Sequence, residues 1–284
     1  MCLLVCSDIH LDCFGSRSNQ SAKEFGKSLA KENPDADGLI IAGDISTGGL
    51  VIEHLKQIYS GFNKPLYFIQ GNHDLYNSSF KDMNKKFLYL SKQYPDIHWL
   101  QNEAPIKFET FDMVGVTGWY DAYHGNTNSK VTLNDWYCIT ELMPGVSNRD
   151  LLISLIREEA GKQADILYKQ LKETTANTII VVTHIPPYKE ASWYQSEMSD
   201  YNTWLPWMSS ASTGATIDRY ANANPDKNIV VICAHTHSPG IYQKKNVTVY
   251  TTKSIMGAPD VYTKLYKNHI VTLNHIENVV ERKL

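Results

Sequence analysis

Apolar runs and helical periods alternate along the first third of the chain. Leu3 to Ser7, Gly38 to Ala42 and Leu66 to Ile69 are short, nearly continuous apolar runs of the kind that fill strands buried on both faces. Between and after them, Asn19 to Glu32 carries apolar residues at Ala22, Phe25 and Leu29. Leu50 to Tyr59 reads as a second helix with Gly61 as its C-terminal cap, and Ser79 to Gln93 as a third. Strand, helix, strand at this spacing predicts a largely parallel sheet with helices on its faces.

The middle of the chain changes character. Ile97 to Leu100, Ile106 to Phe111 and Met113 to Thr117 read as short strands with turn-like breaks, a pattern that predicts a hairpin. Asn126 to Asn148 has no clear period. Asp150 to Glu173 is the longest helical pattern, with Asp150 as a candidate N-cap. Buried strands return at Thr178 to Val182 and Asn228 to Cys233, followed by strand-like segments around Tyr242, Val247 to Tyr250 and His269 to Leu273. No repeat or linker stands out. The expectation is one domain over residues 1–284, with irregular insertions near 120–150 and an aromatic loop near 188–212.

Composition narrows the class without choosing within it. Hydrophobic residues make up 43% of the 284, ample for a core, and a formal charge of −3 offers no clear nucleic-acid surface. No apolar run approaches the ~20 residues that span a bilayer. Leu3-Leu4-Val5 reads as a core strand, so no signal peptide fits. The cysteines (Cys2, Cys6, Cys13, Cys138 and Cys233) are odd in number and lack CxxC spacing. A cytoplasmic location is expected.

The chemistry lies where the apolar runs end. Asp8-Ile9-His10, Gly43-Asp44, Gly71-Asn72-His73-Asp74, Thr183-His184 and His235-Thr236-His237 each follow such a run. In open α/β sheets, sites form beyond the carboxyl ends of strands, where loop residues converge. Five of the ten histidines fall in this set, beside carboxylates and an amide but no thiolate. Mixed oxygen and imidazole donors suit hard or borderline divalent cations, manganese, iron or zinc. Two cations are expected, with Asp44 able to bridge them and a water between them serving as nucleophile.

Taken together, Asp8-x-His10, Gly43-Asp44, Gly71-Asn72-His73-Asp74, Thr183-His184 and Ala234-His235-x-His237 resemble the calcineurin-like metallophosphoesterases. The resemblance implies a fold of two mixed β-sheets packed face to face as a sandwich, with flanking helices. It implies that Asp8, His10 and His237 hold one metal, and that Asn72, His184 and His235 hold the other, with Asp44 bridging. His73 would assist as the non-ligand histidine, and Asp74 is placed with it as a residue able to orient its ring. The implied reaction is phosphate-ester hydrolysis by in-line attack of a metal-bridging hydroxide.

Departures from the family pattern refine that expectation. Protein Ser/Thr phosphatases continue Gly-Asp with a further Asp-Arg-Gly, whereas Gly43-Asp44 is followed by Ile45-Ser46-Thr47-Gly48-Gly49. The Arg that would fork the phosphoryl oxygens is missing. This leans toward a small-molecule or nucleotide phosphodiester as substrate. A phosphomonoesterase is the alternative, with a nuclease or a non-catalytic scaffold behind it. Residues 188–207 concentrate Tyr188, Trp193, Tyr194, Tyr201, Trp204 and Trp207, read as a pocket wall against the plainer reading of a pinned loop. His54, His98, His269 and His275 are read as packed or solvated. His124, after Trp119-Tyr120-Asp121, could reach the site, with Trp119 as the core anchor.

Overall fold

Each apolar run in the first third becomes a strand buried on both faces. A computed structural model describes residues 1–12, 21–194, 197–255, 261, 263–266 and 269–272. It opens with β1 (Cys2–Cys6), α1 (Ala22–Glu32), β2 (Gly38–Ala42), α2 (Val51–Phe62), β3 (Leu66–Ile69), α3 (Phe80–Gln93) and β4 (Ile97–Trp99). The hairpin of β5 (Ile106–Lys107) and β6 (Asp112–Val116) follows, then the four-residue α4 (Asp135–Cys138), α5 (Arg149–Glu173) and β7 (Thr178–Thr183). After the short pair β8 (Trp193–Tyr194) and β9 (Glu197–Met198) come α6 (Ala211–Ala223), β10 (Asn228–Cys233), β11 (Gly240–Lys244), β12 (Val247–Thr251), β13 (Thr263–Tyr266) and β14 (His269–Thr272).

Two six-stranded mixed sheets result. One has the order β14-β13-β1-β2-β3-β4, parallel from β1 to β4; the other has the order β11-β12-β10-β7-β6-β5, parallel from β12 to β6. The alternation along each strand explains the layers. Leu3, Val5, Ile40 and Ile69 pack against Met113, Ile180, Val182 and Ile232 between the sheets. The intervening residues Leu4, Leu39, Ile41 and Phe68 turn outward onto α1, α2 and α3. On the second sheet, Val114, Val181, Val231 and Val249 face α5 and α6 through Leu167, Leu171 and Ile217. Each such side chain contributes roughly 1.5–3 kcal/mol by leaving water. The sandwich is therefore the fold that the resemblance implied.

Helix ends differ from expectation in instructive ways. Helix α2 runs through Gly61 to Phe62, and Asn63 takes the left-handed turn at φ 55°. Gly61 serves instead as a contact: a Cβ there would strike the Lys23 carbonyl of α1. Helix α5 is capped by Asn148, whose side chain accepts from Leu151 N at 3.1 Å, while Asp150 lies in the first turn. Helix α1 is closed by a capping box between Ser21 and Glu24; Asn19, the expected start, lies outside the described residues, as do Cys13 and His275. Helix α6 falls where an irregular loop was expected to end. Its Ser, Thr, Gly and Asn content is poor in helix propensity, and Ile217, Tyr220 and Ala221 hold it on the sheet.

Candidate metal centre

The loops after β1, β2, β3, β7 and β10 meet at the carboxyl ends of the two sheets. The first two run side by side: Asp8 N donates to Gly43 O, His10 N to Asp44 O and Leu11 N to Ile45 O, each at 2.9–3.0 Å. Asp8, His10, Asp44, His235 and His237 all have positive φ, between 42° and 70°, five of the nine such non-glycine residues described. A residue held there costs of order 1–3 kcal/mol, and such strain gathers at functional sites. Gly43, at φ 85°, leaves room for the His184 ring, since a Cβ would lie 2.6 Å from Nδ1. Ala234 has no positive φ and needs no glycine.

The donors face one another in two overlapping sets. Asp8 Oδ1 lies 3.5 Å from His237 Nε2, which is 3.4 Å from His10 Nε2. On the other side, His184 Nε2 is 3.1 Å from Asn72 Oδ1 and 3.3 Å from His235 Nδ1. Asp44 stands between: its Oδ2 is 3.7 Å from His10 Nε2, and its Oδ1 is 3.5 Å from His184 Nε2. Ligand atoms in the groups Asp8/His10/His237, His10/Asp44/His73 and Asp44/His184/His235 all lie within 4.8 Å of one another. The structure thus gathers Asp8, His10, Asp44, Asn72, His184, His235 and His237 into one place.

The second contacts of the rings show that this cluster suits cations. His184 Nδ1 sits 2.9 Å from Ala42 O, and His235 Nε2 sits 3.2 Å from Trp207 O. A carbonyl only accepts, so each of those nitrogens donates and the opposite nitrogen turns its electron pair inward. Two imidazole electron pairs, an amide oxygen and a carboxylate oxygen then converge. His10 Nδ1 is buried with no hydrogen-bond partner among the described residues. Burial would raise the Asp44 carboxyl, but His184, His73 and His10 outweigh it and hold it well below the usual range. Burial would lower His184, yet the Asp44 charge drives it up to about 9; burial and the facing His184 bring His235 down to about 3. A proton and a cation compete for these electron pairs, as metal binding at imidazole generally requires.

His73 is half-buried at the edge of the set. Its Nε2 lies 4.0 Å from Asp44 Oδ2, its backbone N–H donates to Asp44 Oδ1 at 2.9 Å, and its ring stacks on Tyr76 at 4.4 Å. Asp74 does not orient it. Asp74 Oδ1 accepts from Ile45 N and Ser46 N, and Oδ2 from Gly71 N, at 2.8–2.9 Å. The fully buried carboxylate braces the Asp44 loop, a correction to the orienting role read from sequence adjacency. Burial, with the Asp44 charge beside it, pushes Asp74 up to about 8.

A cavity of about 270 Å³ opens over the donors, bounded by Asp44, Asn72, His73, Tyr76, His235 and His237 on one side. Thr132, Leu133, Asn134 and Asp135 from the irregular insertion and Trp204 and Met208 from the aromatic loop complete it. The aromatic loop therefore divides between its two readings. Trp204 is exposed in the pocket wall, while Tyr188 and Trp207 are buried in the body; Tyr188 donates to Asp218. His124 is not in that wall: its Nδ1 lies 2.9 Å from Ser209 Oγ, and Trp119 is fully buried as the anchor. The insertion's contribution was missed. An acid beside a tryptophan, Asp135-Trp136, was its only mark, and an aperiodic segment does not reveal which way it faces.

The solved structures most like this fold include the phosphopantetheinyl hydrolase of Mycobacterium tuberculosis, with a TM-score of 0.64 and 16% identity over 90% of this chain and 89% of that one. TT1561 of Thermus thermophilus aligns with a TM-score of 0.54 and 11% identity, over 96% of this chain and 98% of that one. At such identities the likeness concerns the fold. No curated protein sequence matches the chain. The family description "calcineurin-like phosphoesterase" matches residues 1–239, a stretch that contains every donor named above. The chain therefore belongs to the calcineurin-like phosphoesterases and is a metal-dependent hydrolase.

Proposed function

We propose that this protein hydrolyses a small phosphodiester, such as a nucleotide or another small-molecule ester, at two divalent cations. Asp8, His10 and His237 would hold one, Asn72, His184 and His235 the other, and Asp44 both. The observation that carries the dinuclear reading is the orientation of Asp44, whose two oxygens face opposite donor sets. Manganese, iron and zinc all suit the mixed oxygen and nitrogen donors. When bound, such cations supply charge stabilisation to phosphoryl oxygens and lower the pKa of a coordinated water.

The chain's own residues provide the rest. His73 lines the cavity and would donate a proton to a phosphoryl or leaving-group oxygen, with Tyr76 stacked on its ring. Leu133, Trp204 and Met208 offer an apolar wall for the non-phosphate part of the substrate, and Thr132 and Asn134 offer polar groups beside it. The apolar wall accommodates an organic substituent of the ester, of which a diester presents two and a monoester one. Among the described residues Cys2, Cys138 and Cys233 form no disulfide, which suits a reducing, cytoplasmic setting. No helix among the described residues is long and apolar enough to cross a membrane.

Hydrolysis of bis-p-nitrophenyl phosphate against p-nitrophenyl phosphate, after chelation and after manganese is restored, tests the reading. Metal-restored preference for the diester is expected, with phosphopantetheinyl and nucleotide diesters next in the panel. Preference for the monoester would make the protein a phosphomonoesterase. Two bound cations without turnover of either ester would oppose a broad hydrolase.

A further inference from the structure

Among the described residues of the cavity wall, Asp135 is a carboxylate that neither the motifs nor the donor groups include. It is buried at 1% exposure, in the short α4 of the insertion. Its Oδ1 accepts from Asn72 Nδ2 at 2.9 Å and from Tyr76 OH at 2.6 Å, and its Oδ2 accepts from Tyr120 OH at 2.9 Å. Trp136 Nε1 in turn donates to the Tyr120 hydroxyl at 3.2 Å.

An ionised carboxylate can only accept, so it discriminates between the two ends of the Asn72 amide. With Nδ2 turned to Asp135, Oδ1 must point the other way, where it lies 3.1 Å from His184 Nε2. The flipped amide would set an oxygen against the carboxylate and an NH2 group among the metal donors. We infer that Asp135 is a positioning residue of the metal centre: it fixes the Asn72 amide so that the oxygen, and not the nitrogen, faces the cation.

The device links the insertion to the site. The Arg149 guanidinium lies 4.8 Å from the Trp136 ring and 4.4 Å from the Trp207 ring, and donates to Thr127 O and Ser129 O at 3.0 Å. This clamp holds α4 against the body. An aperiodic segment therefore supplies the group on which a ligand's orientation depends. Outer partners of this kind generally carry 10- to 100-fold in metal affinity.

The inference rests on Asn72 being a ligand, and a double-mutant cycle separates the two ideas. Manganese binding to the chelated full chain is measured by titration calorimetry and by the electron-paramagnetic-resonance signal of free Mn2+. D135A is expected to weaken one of the two sites by roughly 10- to 100-fold and leave the other unchanged. N72A should weaken the same site, and D135A added to N72A should cost less than about twofold more. D135N keeps one acceptor oxygen and should lose only about three- to tenfold, again only while Asn72 is present; it carries the cycle if D135A does not fold. Wild-type affinity in either Asp135 variant, or a loss that persists undiminished in the N72A background, would overturn the positioning role. An N72A chain that binds both ions normally would instead overturn the ligand reading beneath it.

Discussion

His184 Nε2 and His235 Nδ1 face each other at 3.3 Å, each ring tied by its other nitrogen to a main-chain carbonyl. With both rings unprotonated, that arrangement would set two electron pairs head to head in a buried site, and a cation between them, in place of the proton that His184 otherwise holds, makes the contact attractive. Metal removal should therefore lower stability. With manganese at about 100 times its dissociation constant, binding adds about 2.7 kcal/mol. Melting followed with and without chelator should show a fall of roughly 4–5 °C, reversed by added manganese. An unchanged Tm would argue that these nitrogens hold no ion.

His73 is expected to act on substrate and not to hold metal. His73→Ala should keep both cations and lose about 10²- to 10⁴-fold in kcat, the range for one general acid. Esters with activated leaving groups should suffer least, because they need no proton. The geometry makes the control important, since His73 lies within ligand reach of His10 and Asp44. Metal counting on the variant decides: loss of an ion would move His73 into the ligand set.

Gly61 tests the packing of α1 on α2. A methyl group there would meet the Lys23 carbonyl oxygen and lie 2.9 Å from Lys27 N, both backbone atoms that cannot swing aside. Helix propensity alone would favour Gly61→Ala by about 1 kcal/mol. The clash should reverse the sign and destabilise by roughly 1–3 kcal/mol, as overpacking does. Urea denaturation of the variant reads the difference, and a stabilised protein would show that the helices slide apart freely.

Asp112 predicts a pH dependence away from the site. Burial would raise its carboxyl, but the Ala176 and Thr175 N–H groups and Lys107 outweigh burial and lower it. The bonds to these three groups are 3.0, 2.6 and 2.9 Å. A depressed folded-state value contributes stability above the unfolded value of about 3.9, lost as pH falls through the folded one. Asp112→Asn should cost about 1–2 kcal/mol at pH 7 through weakened charge-assisted bonds. The gap to the wild-type protein should close below about pH 4. A gap that stays constant on acidification would exclude the charge as its source.

Much of the site is legible in the order of residues along the chain. The donors Asp8, His10, Asp44, Asn72, His184, His235 and His237 stand out because each follows a buried strand, and strand ends are where a sheet delivers loop residues. Asp74 is legible as a residue but not in its role. Adjacency to His73 suggests an orienting contact, whereas the turn that begins at His73 aims the carboxylate back at the Gly71 and Ile45 amides. Helix α6 and the cap at Asn148 are hidden because weak propensities and neighbouring Asn and Asp residues offer competing local solutions.

The sequence by itself determined most of the strands, the helices α1, α2, α3 and α5 and the candidate donor set, since burial on two faces and cation chemistry leave few alternatives for such residues. Only the tertiary structure decided which oxygen of Asp44 faces which donors, which end of the Asn72 amide turns inward, and that Asp135 and Trp204 stand over them. These are relations between segments far apart in the chain. Hydrogen-bond direction and cavity shape depend on where the backbones meet, and no periodicity within a segment encodes that.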